Sequence, residues 1–98
     1  MTTPQLQLAF DLALARVERL LGNEMKTAKG VSARSHLEKL EKELKRERAL
    51  ALERQAVDRD WLQKTVRWVV EWVPDNELAL VAALGAIVRA APSTGSTP

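Results

Sequence analysis

Apolar residues recur at helical spacing from the start of the chain. Leu6, Phe10, Ala13, Val17 and Leu20 fall on one face when residues advance by about 100° each, which predicts a helix over residues 4–21. Pro4 is tolerated in a first turn, and Gly22 followed by Asn23 is a good stop. The stretch LQLAFDLAL, residues 6–14, also alternates with period two, as a strand would. Alanine and leucine favour helix over strand, so the helical reading is taken.

Residues 22–35 lose the period. Gly30, Ser32 and Ser35 argue for a loop, and Lys26, Lys29 and Arg34 make it basic. Ser35 to Glu38, read SHLE, matches a capping box, in which the Ser and Glu side chains satisfy each other's orphan backbone donors. A second helix is therefore expected over 36–57. Its first half is apolar only at Leu37, Leu40 and Leu44, a narrow stripe with coiled-coil spacing. Its second half, with Ala49, Leu50, Ala51, Leu52, Ala56 and Val57, is apolar around most of its circumference. The expectation is that the charged half partly protrudes and the apolar half enters the body of the fold.

Residues 36–73 contain no glycine and no proline. One helix of that length would run about 57 Å, against a radius of gyration near ~13 Å for a compact chain of this size. A break near residues 58–60 resolves the conflict, with Asp60 opening a weaker capping-box match; a continuous or kinked helix with a partner along it is the alternative. A third helix then spans 61–73. Trp61, Trp68 and Trp72 stack on one face of it across three turns, Trp68 about 20° to one side of Trp61 and Trp72 about 20° to the other. TVRWVVEWV, residues 65–73, is also β-branched enough for a strand, but that reading leaves Trp61 out and finds no convincing partner strand. Arg67 and Glu71, one turn apart, are placed to pair on the helix exterior.

Pro74 ends this helix, and Asp75 is placed to cap a fourth over 76–91. The fourth helix is polar only near its ends, and Ala79, Ala83, Ala86 and Ala90 form a stripe of small residues. A helix apolar all round is covered on several sides, more than four short helices readily supply. The remaining residues, 92–98, read PSTGSTP and are expected to be disordered. The fold class that follows is all-α: one domain over residues 1–91, a small bundle of about four helices with a long, charged, coiled-coil-like second helix.

Composition supports this picture. Ala, Leu, Glu, Lys and Arg make up about half of the 98 residues. Cysteine is absent, which excludes disulfides and thiolate zinc sites and suits a cytoplasmic protein. The opening residues lack a basic n-region. The longest apolar run, residues 78–88, is about half of a membrane span, so no membrane partner is expected. The formal charge is +2, too small to imply a partner, but residues 26–48 hold eight basic and four acidic groups.

That segment has two readings. Lys26, Lys29, Arg34, Lys39, Lys42, Lys45 and Arg46 would make a nucleic-acid surface. The interleaved glutamates would instead pair with them along a solvated helix, Glu38 with Lys42, Glu41 with Lys45 and Lys39 with Glu43, and would repel phosphate. His36 stands alone, the serines lack a partner base, and there is no phosphate loop, HExxH or EF-hand pattern. Asp58 and Asp60 read as caps rather than metal ligands. No enzyme, cofactor or metal is therefore expected. Three tryptophans exposed together would approach or exceed the ~300–600 Å² of a typical largest apolar patch, so they face the core or another chain. The function expected is a helical protein–protein interaction module, an adaptor, assembly subunit or regulator, that self-associates as a homodimer or higher oligomer and engages another protein. Its candidate interface is Trp61, Trp68, Trp72, Leu37, Leu40, Leu44, Ala79, Ala83 and Ala86. The alternative is a nucleic-acid-binding accessory protein using the basic loop and the start of the second helix. Neutralisation of a partner protein is a third idea, resting on size and helicity alone.

Overall fold

The computed structural model describes residues 3–91, so the expectation of a disordered tail lies outside the described residues. Four α-helices follow in order: α1 (Thr3–Gly22), α2 (Arg34–Arg54), α3 (Arg59–Trp72) and α4 (Ala79–Ala90), with a 3₁₀ turn at Asp75–Glu77 before α4. They run alternately up and down. Asp11 of α1 meets Arg48 late in α2, and His36 early in α2 stacks on Trp72 at the end of α3. α1 packs against α2 and α4, and α3 packs against α4. The radius of gyration is 13.6 Å and the longest extent 45 Å. No helix among the described residues is long and apolar enough to cross a membrane.

The core is drawn from one stripe of each helix. Leu6, Phe10, Ala13 and Val17 of α1, Leu37, Leu40 and Leu44 of α2, Leu62 and Val69 of α3, and Leu80, Leu84 and Ile87 of α4 are almost wholly removed from water. Each large side chain of this set contributes about 1.5–3 kcal/mol relative to exposure. The three leucines of α2 are thus interior residues of this chain. The charged half of α2 does not protrude; it is the more deeply seated half, because its narrow stripe points straight into the bundle. The apolar half is shallower: Ala51 is buried, but Leu50, Leu52, Ala56 and Val57 are only half-buried.

Several boundaries differ from the expected ones. α2 begins at Arg34 rather than His36, with Ala33 as its cap and no side-chain cap bond, so the SHLE capping box does not form. Tertiary anchoring sets this start instead. Ala33 is fully buried, and its N–H donates to the Met25 carbonyl at 2.9 Å. Lys26 and Ser32 form an isolated antiparallel bridge, and Thr27 N–H donates to Val31 O at 2.7 Å. Gly30, at φ 81°, makes the turn between them, where a side chain would be strained. The loop also reaches α3: Ala28 N–H donates to Trp72 O at 2.9 Å.

α2 ends at Arg54, three residues before the expected Val57. Gln55 adopts the left-handed conformation there and its N–H returns to Ala51 O. The break between α2 and α3 is real, so the continuous helix is excluded, and α3 starts at Arg59 rather than Trp61. Its cap is Asp58, whose carboxylate accepts from Trp61 N–H at 3.0 Å. Asp60 lies inside the first turn and pairs with Lys64 at 3.0 Å. The fourth helix starts three residues later than expected. Pro74 and the 3₁₀ turn intervene, and Asp75 does not cap.

Candidate functional site

The three tryptophans fill the seam between α2 and α3. No Cα atom of α2 comes within 8 Å of one of α3, so the two helices touch through side chains alone. Trp72 is buried, whereas Trp61 and Trp68 are half-buried. Each ring meets α2, and His36 touches two of them. Trp61 Nε1 donates to Glu43 Oε1 at 2.9 Å. Lys39 Nζ lies 5.0 Å from the centre of the Trp68 ring, a cation–π distance. His36 stacks on Trp72 at 5.0 Å and meets Trp68 edge-on at 5.3 Å; the two indoles are themselves 5.3 Å apart.

Helical phase explains the match. His36, Lys39 and Glu43 line one flank of the α2 leucine stripe, and Trp72, Trp68 and Trp61 line one flank of α3 in the reverse order. Antiparallel packing brings each pair level. By sequence His36 stands alone. The signal that finds it is its seven-residue spacing from Glu43, equal to that of Trp61 and Trp68. Trp72 Nε1 is the buried side-chain polar atom left without a partner among the described residues.

The other expected interface residues separate into two groups. Leu37, Leu40 and Leu44 lie in the core beside the tryptophan seam. On α4, Ala83 and Ala86 are half-buried against the same core, while Ala79 is exposed. α4 is not covered all round: Leu78, at its start, is 53% exposed and Val88 43%. Val70 on α3 and Leu8 and Leu12 on α1 are exposed too. An open groove of about 390 Å³ between α3 and α4 has Leu62, Val66, Val88 and Ala91 on its walls and Arg67 at its rim. Arg67 and Glu71, expected to pair, make no ion pair among the described residues.

Four of the seven candidate basic residues pair with acids of their own helix. Arg34 pairs with Glu38 at 3.2 Å, where Glu38 had been expected to take Lys42. Lys39 pairs with Glu43 and Lys45 with Glu41, each at 4.0 Å. Arg46 pairs with the buried Glu47 at 3.3 Å, and Arg48 with Asp11 at 2.8 Å. Lys26, Lys29 and Lys42 are exposed. Among the described residues no three His, Asp or Glu side chains gather to hold a metal. No family model, curated protein or solved structure matches this chain.

Proposed function

We propose that this chain is a small helical interaction module that self-associates. One observation carries the reading. Large apolar side chains stand in water on three of the four helices, Leu8 and Leu12 on α1, Val70 on α3, and Leu78 and Val88 beside or on α4. Isolated exposed leucines are ordinary, but large apolar side chains left in water on several helices at once offer surface for a further packing partner to cover. α2, diagonally across the bundle from α4, instead carries a charged outer surface. The cysteine-free composition is in keeping with a reducing compartment such as the cytoplasm.

The ion pairs weigh against the nucleic-acid reading. Arg34, Lys39, Lys45 and Arg46 each sit beside a carboxylate that a phosphate would have to displace. Light scattering coupled to size-exclusion chromatography, from low to high micromolar concentration, tests the proposal. A mass rising to twice the 10.9 kDa chain or more is expected. A folded monomer throughout refutes it.

A further inference from the structure

The outward face of α4 has a charge layout that fits a second copy of itself. Ala82, Gly85 and Arg89, with Leu78 at the start, recur at spacings of four, three and four residues on the side away from Leu80, Leu84 and Ile87. This face is apolar except at one end. Leu78 and Val88 are the large exposed side chains on and beside it. Arg89 is its single charge, and the acidic turn Asp75–Glu77 lies just beyond its other end. Arg89, Asp75 and Glu77 make no ion pair within this chain among the described residues. The Arg89 side chain folds back over Gly85: an added Cβ there would meet Arg89 Nη1 in ordinary contact at 3.6 Å and nothing else within 4 Å.

We infer that α4 packs antiparallel on α4 of a second copy, about a twofold axis between Ala82 and Gly85. This rests on the self-association proposed above and names its surface and register. A cation at one end and acids at the other are complementary to themselves only when the second helix runs the opposite way, as it does about a twofold axis perpendicular to the helices. From the axis, Arg89 lies about 8 Å along the helix and Glu77 about 10 Å at 1.5 Å per residue. Antiparallel pairing therefore sets Arg89 of each copy against the acidic turn of the other. Leu78 covers the arginine stem, and the small residues at the axis let the backbones approach. A parallel pair would place like charges together at both ends.

Charge reversal tests the register at positions outside the buried core, Arg89 and Asp75 exposed and Glu77 half-buried. Sedimentation equilibrium would compare the natural chain with Arg89→Glu, with Asp75→Arg/Glu77→Arg, and with all three changes together. Circular dichroism melts check that each variant folds. Either reversal alone is expected to weaken the dimer about tenfold or more, and the combination to recover most of that loss. Ala82→Glu, which sets two carboxylates beside the axis, is expected to abolish dimerisation while leaving the monomer folded. A dimer indifferent to both reversals and to Ala82→Glu overturns this register but leaves self-association standing. A natural chain that stays monomeric overturns both.

Discussion

Replacing Trp72 by Phe and Trp61 by Phe should have opposite ranks from those that burial suggests. Trp72 is the more buried ring, 7% exposed, yet its Nε1–H has no acceptor. A buried, unsatisfied donor costs about 1–3 kcal/mol. Phenylalanine removes that donor and gives up about 40 Å² of apolar area, worth about 1 kcal/mol at 25 cal/mol per Å². The net effect of Trp72→Phe is thus between neutral and about 2 kcal/mol stabilising. Trp61→Phe loses similar area and also the 2.9 Å bond to the Glu43 carboxylate, which is 24% exposed. A bond to a charged acceptor is worth about 1.5–3 kcal/mol when buried, and about 1 kcal/mol here after screening, so the total cost is about 2 kcal/mol. Urea unfolding followed by far-ultraviolet circular dichroism measures both variants without relying on the indoles that were changed. A Trp72→Phe variant less stable than Trp61→Phe would refute the reasoning.

Two further predictions concern the helix ends and the interior of α4. Asp58→Ala should lower stability by about 1 kcal/mol through loss of the cap on α3, whereas Asp60→Ala and Ser35→Ala should each stay within about 0.5 kcal/mol; thermal melts of the three variants rank them. Gly85→Ala should raise monomer stability by about 0.8–1 kcal/mol, since the methyl meets nothing closer than 3.6 Å and alanine is the better helix former. A fall in the melting temperature of the dilute monomer would contradict it.

Helix number, order and core stripes were legible because each follows from local spacing. Leu37, Leu40 and Leu44 are interior for the reason their period indicated, although depth was misjudged. The number of apolar residues in a segment says how much of its surface is apolar, not how far it sits from the axis of the bundle. Helix starts were less legible. SHLE has the residues of a capping box, but α2 is capped two residues earlier, at Ala33 held to Met25, so Ser35 falls inside the helix where it cannot cap. Asp58 and Asp60 are both competent caps by residue type, and it is Asp58 whose carboxylate accepts the Trp61 N–H. His36 was missed because its partners lie 32 and 36 residues away, and its seven-residue spacing from Glu43 acquires meaning only once α2 and α3 are known to face each other.

The tryptophan seam also determines what light can report about this molecule. Every indole lies between α2 and α3, the chain has no tyrosine, and Phe10 is its one other benzenoid ring. Intrinsic fluorescence therefore reads one seam, while the packing of α1 on α4 is optically silent. Trp61 beside a carboxylate, Trp68 beneath an ammonium and Trp72 against an imidazole make three differently quenched emitters. If α2 and α3 part before the backbone unwinds, the emission changes ahead of the circular dichroism. Coincidence of the two signals would mean that the seam held by side chains alone opens together with the seams held by close helix packing.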